Sequence, residues 1–150
     1  METFTDYKRK FEKIDWEKIT KETLKETKEL ILDLQRDQWY DGERADGKMI
    51  ETNQADGKYH PLTIEYKKEK GQKYDVVTLK DTGKFYKSLK AKTVPKGLQI
   101  TGSYDKELPE WINDFEGVFG LNDDFLYFWR NEKGLETFGN ILKSSLGINV

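Results

Sequence analysis

Cysteine is absent from the 150 residues. That removes disulfides, zinc–thiolate sites and iron–sulfur clusters from consideration. Histidine occurs once, as His60, so any histidine-dependent chemistry would have to run through that side chain. No apolar run approaches the roughly 18 residues that span a bilayer. Residues Met1 to Lys10 carry no apolar h-region, so a secretory leader is not expected. Neither sign of charge dominates: 26 Lys and Arg stand against 28 Asp and Glu, a net of −2, which argues against a generic nucleic-acid binder. Apolar residues are also few, at 35% against 36% charged. Even so, 13% of the chain is aromatic, and disordered chains are poor in aromatics. The expectation is one folded domain, 1–150, made and kept inside a cell or inside a particle assembled there.

The near-neutral total hides a segregation. Residues 1–57 hold 11 basic and 15 acidic side chains, and residues 58–96 hold 11 lysines against Glu65, Glu69, Asp75 and Asp81. Residues 103–136 hold Lys106, Arg130 and Lys133 against nine acids. Such runs ordinarily mark solvated faces. Two complementary surfaces on one small domain also suit head-to-tail contact between copies, which closes into a ring when the rotation allows.

Apolar spacing predicts the elements. Tyr7, Phe11 and Ile14 form one helical stripe, and Asp15 is placed to cap a second helix from Trp16 to about Gln38. From Asp41 to Tyr59 the pattern gives way to Asp41-Gly42, Asp46-Gly47 and Asp56-Gly57 turns, with a short extended link at Met49 to Thr52. This loop is expected to be mobile in the free subunit. Leu62, Ile64 and Tyr66 alternate as a strand would, and Tyr74 to Leu79 reads as its hairpin partner. Lys90 to Val94 and Leu98 to Gly102 flank a Pro95-Lys96-Gly97 turn as a second hairpin. Asn122 is expected to cap a helix that Gly134 ends, and Leu135 to Leu146 forms the last helix, stopped near Gly147. The predicted fold is α+β: N-terminal helices, a central antiparallel sheet of four to five short strands, and C-terminal helices. Its parts are helical 1–40, turn-rich 41–59, β 60–102, and an aromatic loop with helices over 103–150.

Catalytic patterns fail on inspection. Gly42 to Lys48 fits the spacing of a phosphate-binding loop, but Met49 stands where Ser or Thr must hold magnesium, and a helix precedes it where a strand is needed. The calcium-loop pattern fails at both Gly47 and Gly57. His60 precedes Pro61 in a turn, and Ser88, Ser103, Ser144 and Ser145 lack a nucleophile-elbow setting. Asp123 and Asp124 suit a helix N-terminus better than a cation site. Trp39, Trp111 and Trp129 read as core or interface anchors rather than a sugar groove. No catalytic residue, metal or cofactor is expected, and the chain is not expected to be an enzyme.

One string remains, from Leu79 to Leu89. Asp81 or Thr82 can cap a short helix, Gly83 eases the way into it, and Phe85 and Leu89 can dock on the sheet while Lys84 and Lys87 stay wet. With Ser88 included, L-x-D-T-G-x-F-x-x-S-L resembles the TG-x-[LF]-x-x-S-[IL] signature of tailed-phage virion morphogenesis proteins, the tail-completion, tail-terminator or head–tail connector (neck) proteins. Gln35 to Gly47, then Tyr59-His60-Pro61-Leu62 through Tyr66, Lys70 and Gly71, fit the family's order. Tyr104 and Phe115-Glu116-Gly117 fit its later aromatic region, so the likeness covers roughly residues 15–120. The family often carries a His after the hairpin, which this chain lacks. The resemblance implies a non-enzymatic virion component, assembled in the host cytoplasm, that forms a ring at the portal–tail junction or tail end. Its partners would be copies of itself and portal, neck or tail proteins, with no membrane and no sequence-specific nucleic acid. Charge then nominates Lys84, Lys87, Lys90 and Lys92 on one side of a subunit contact. Asp105, Glu107, Glu110 and Asp114 stand on the other, with Trp111 and Trp129 as anchors. The alternative is a nucleic-acid- or host-protein-binding module using lysine-rich 58–96, whose nucleic-acid version would weaken steeply with salt.

Overall fold

A computed structural model describes residues 1–148. Three helices open the chain: α1 (Phe4–Glu12), α2 (Trp16–Glu26) and α3 (Lys28–Tyr40). α1 begins in a capping box in which Thr3 and Asp6 satisfy each other's backbone N–H. Asp15 caps α2, its carboxylate accepting from the Lys18 N–H at 3.0 Å. The single helix expected over 16–38 divides at Thr27. Thr23 and Thr27 are buried, and each donates its hydroxyl to the carbonyl four residues back, at 2.9 and 2.8 Å. That bond competes with the helix ladder and bends it.

Among the described residues the expected sheet of four to five strands is not there. They form a single two-stranded antiparallel hairpin of β1 (Lys90–Val94) and β2 (Gly97–Thr101), and helices dominate. The alternating Leu62-Ile64-Tyr66 segment is helical instead, within α4 (Pro61–Glu69). Pro61 occupies the first turn, where its fixed φ suits a helix and its missing N–H costs nothing. The His60 ring accepts from the Leu62 N–H at 3.2 Å. Residues 74–79 bend at Asp75 and Val76 and form no strand; side chains take the place of a strand partner. The Tyr59 hydroxyl accepts from the Thr78 N–H at 2.9 Å, and Tyr86 donates its hydroxyl to the Thr78 carbonyl. Lys67 donates to the Lys80 carbonyl at 2.5 Å, and Gln72 to the Asp81 carbonyl at 2.6 Å. Leu79 sits at φ +55, a left-handed backbone that breaks any regular strand.

The second predicted hairpin is present. Its register pairs Lys90 with Thr101 and Val94 with Gly97. Ala91 and Ile100 pack toward the core, while Lys90, Lys92, Gln99 and Thr101 face outward. The 41–59 loop, expected to be mobile in the free subunit, makes backbone hydrogen bonds within itself and to residues 111–113. Ile50 is buried and its N–H donates to Gly42 at 2.6 Å, Asn53 N–H donates to Trp111, and Asn113 N–H donates to Glu51.

After the hairpin come α6 (Glu107–Trp111), a 3-10 turn (Phe115–Val118), α7 (Asp123–Trp129) and α8 (Leu135–Leu146). Asn122 caps α7, accepting from Phe125 N–H at 3.2 Å as predicted. Gly134 does not end the helix. A π turn over Arg130–Gly134 carries α7 into α8, and α8 stops at Gly147.

The core gathers around Trp39, which is fully buried with Leu32, Ile50, Val77, Leu79, Leu89, Ile112 and Val118 about it. The 117–122 segment would bury its backbone beside α3, and two glutamines meet its groups. Gln35 accepts from Gly120 N–H at 2.7 Å. Gln38 accepts from Asn122 N–H at 2.8 Å and donates to the Gly120 carbonyl at 2.9 Å. The Trp39 indole N–H donates to the Val118 carbonyl at 2.7 Å. The polar groups of this segment are therefore matched rather than stranded.

Candidate assembly surface

The 81–89 signature is a folding device in this structure. The Thr82 hydroxyl accepts from Lys84 N–H at 3.3 Å. Gly83, at φ +81, leads into the one-turn helix α5 (Lys84–Lys87), a conformation costing a side-chain-bearing residue about 1–2 kcal/mol. Phe85 lies flat on Trp39, centroids 5.0 Å apart and planes 12° off parallel, and edge-on to Tyr104 and Phe119. Leu89 is core. The Ser88 hydroxyl spans to Ser103, accepting from its N–H at 2.8 Å and donating to its carbonyl at 3.1 Å. Gly102 must stay small there, because a Cβ would lie 2.7 Å from the Phe85 ring. Asp81 is exposed and pairs with Lys70 at 3.0 Å.

The nominated interface residues divide on inspection. Lys84, Lys87, Lys90 and Lys92 are all exposed, the last two side by side on the outer face of the hairpin. Asp105, Glu107 and Glu110 are exposed on or just before α6, with the Asp105 carboxylate accepting from Leu108 N–H at 3.2 Å. Asp114 is committed within the subunit to Arg44. Trp111 is outward, 58% exposed. Trp129 turns inward, donating its indole N–H to Thr27 at 3.0 Å, and so is an internal strut.

Trp111 belongs to a groove that the sequence did not single out. Its volume is about 540 Å³. α4 supplies Leu62 and Tyr66, the 74–81 segment Val77, Leu79 and Lys80, and α6 Leu108 and Trp111. Leu62 and Tyr66 lie one turn apart on α4 and are exposed, while Lys67, which lines the same groove, is buried. Lys67 spends its ammonium on the Lys80 carbonyl, on Gln72 at 3.3 Å and over the Tyr59 ring at 4.8 Å. Burial pushes its pKa down despite nearby Asp81. Burial likewise pushes the Tyr59 and Tyr86 hydroxyls up. Other lysines of the basic segment lie over tyrosines: Lys70 over Tyr66 at 4.0 Å, Lys68 over Tyr74 at 4.8 Å, and Lys73 over Tyr40 at 5.1 Å. Such contacts are worth about 0.5–1 kcal/mol each at exposed sites.

A second apolar surface lies on α7. Leu126, Tyr127 and Phe128 follow one another and are all exposed, as is Leu135 beyond the π turn. Phe125 and Phe128 border a shallow cleft with Leu34 and Tyr40 of α3. The whole chain exposes 10385 Å². A compact monomer of its 17.7 kDa would expose about 7,900 Å².

Among the described residues no helix is long and apolar enough to cross a membrane, and no group of three or more His, Asp or Glu side chains converges as metal ligands would. No family model, no curated protein and no solved structure matches the chain.

Proposed function

We propose that this chain is a structural subunit that works by assembly, and specifically a virion component of a tailed phage that forms a ring at the neck or tail end. One observation carries the assembly half of this reading. The chain exposes about 2,400 Å² more than a compact monomer of its mass, and large apolar side chains such as Leu62, Trp111, Tyr127 and Leu135 contribute to that surface. Stable interfaces take about 800 Å² from each partner, so the two contacts of a ring subunit need about 1,600 Å², which the excess is large enough to supply. The virion half rests on the Asp81-Thr82-Gly83, Phe85, Ser88 and Leu89 signature and the order of motifs around it. Copies of the chain and portal, neck or tail proteins of the same particle are the proposed partners.

The test is twofold. Mass in solution, measured across concentration, should rise above that of one chain, and the protein should be present in purified particles. A strict monomer that is absent from particles would sink the reading.

A further inference from the structure

We propose that α7 of one copy seats in the α4–α6 groove of the next, so that two different surfaces of the same chain make the subunit contact. This rests on the reading of the chain as a self-assembling subunit and names the surfaces it would use.

Leu62, Tyr66, Val77, Leu79, Leu108 and Trp111 give the groove its apolar surface, and Lys67, Lys80 and Asp81 are the charged residues that line it. On the α4 side stand Lys80 and Lys70, with Asp81 already paired to Lys70. On the other side α6 carries Glu107 and Glu110 beside Leu108 and Trp111. α7 has the matching polarity. Asp123 and Asp124 occupy its first turn, Leu126, Tyr127 and Phe128 form its exposed middle, and Arg130 follows, lying 5.4 Å from the Tyr127 ring. Laid in the groove with its acidic end toward Lys70 and Lys80, α7 brings Arg130 toward the acids of α6. Leu126 and Tyr127 then cover Leu62, Tyr66 and Trp111, the exposed large apolar side chains of the groove, while Phe128 stays at the α3 cleft. Aromatic anchors in a desolvated pocket with charges at the rim are what a specific interface requires.

Within its own subunit α7 cannot reach this partner, because Phe125 and Trp129 hold it against α3 and Thr27. Contact between unlike surfaces propagates from copy to copy and closes into a ring or runs on as a filament, rather than stopping at a symmetric pair.

The absence of cysteine makes a clean crosslinking test possible. Trp111→Cys and Tyr127→Cys are made separately in the full chain. Mild oxidation of the mixture should give a disulfide-linked pair containing one of each, and neither variant alone should crosslink to itself. In a second arm, Tyr127→Asp and Leu62→Asp, both at exposed positions, should each raise the dissociation constant of the oligomer by at least ~30-fold, the weight of one hot-spot residue. Near-UV circular dichroism should show the subunit still folded.

An oligomer that forms without the mixed crosslink, or in which one variant crosslinks to itself, overturns the α7-to-groove contact and leaves the assembly reading standing. Particles that contain the protein, with no self-association at any concentration, do the same. A chain that is monomeric and absent from particles overturns both.

Discussion

The surroundings of α3 and the helices toward the chain ends differ in how they use their aromatic residues. The C-terminal half of α3, with Gln35, Gln38 and Trp39, is sealed under the 77–89 and 112–122 segments, where stacked rings and matched amides leave no solvent. The helices toward the chain ends are built otherwise: α1 and α7 bury no residue, and α8 buries only Thr137. There Trp16 meets Phe11 edge-on at 5.2 Å and stacks on Phe138 at 6.4 Å, yet remains exposed. Both regions are rich in aromatics, so composition does not separate them. What separates them is burial: Trp39, Tyr86 and Phe115 are buried, whereas Phe11, Trp16, Tyr127 and Phe128 are exposed. The first region holds the fold of one chain together, and the second supplies the surface that the proposed subunit contact uses.

Variants can break or sharpen that contrast. The largest effect is expected from Trp39→Ala, which leaves a cavity at the centre of the core and removes the bond to Val118. Denaturant unfolding should show a loss of about 3–5 kcal/mol, whereas Trp16→Ala in the open region should cost clearly less. Gln38→Leu strands the Gly120 carbonyl and the Asn122 N–H, and the same measurement should show a loss of about 1–3 kcal/mol.

Tyr59→Phe removes the acceptor of the Thr78 N–H and should cost about 1 kcal/mol. The pH dependence of the wild type carries the same information. The pKa values of Tyr59 and Tyr86 are raised by folding above the ordinary 10.0. Above that pH the unfolded chain releases these protons while the folded one keeps them, so stability falls as pH rises. Lys67, lowered from 10.5, acts in the opposite direction as pH approaches 10.5, because the folded state gives up its proton first. Two tyrosines against one lysine should give a net loss above pH 10, which Tyr59→Phe should shrink. Thermal unfolding as a function of pH measures both. The smallest effect is expected from Lys90→Glu with Lys92→Glu. On the outer face of the hairpin these should change the stability of the isolated subunit by no more than about 0.5 kcal/mol.

Much of the helical frame was legible in the residues. The caps at Asp15 and Asn122, the Lys90–Thr101 hairpin and the stop at Gly147 all follow from local chemistry. The sheet was overestimated because Leu62-Ile64-Tyr66 and Tyr74 to Leu79 are short. Over so few residues an apolar alternation fits the outer and inner sides of a helix as well as a strand. Pro61 after His60 was the available signal for a helix start. The substitution of Tyr59, Lys67, Gln72 and Tyr86 for a neighbouring strand has no local signature, because the partners come from distant positions. The groove was hidden for the same reason: Leu62, Val77 and Trp111 are brought together only by the fold. Gln35 and Gln38 left a trace, as amides on the apolar side of α3, where a purely hydrophobic stripe would carry Leu or Ile.

The side-chain fastening of residues 72–82 has a kinetic meaning. A strand in a sheet loses protection from its edge inward, whereas the hydrogen bonds of this segment depend on α4, α5 and the residues ahead of Pro61 all at once. The Thr78 amide proton should therefore exchange with solvent only when those elements separate together. Its rate would report on a single cooperative opening that ties the 81–89 signature to the wall of the groove.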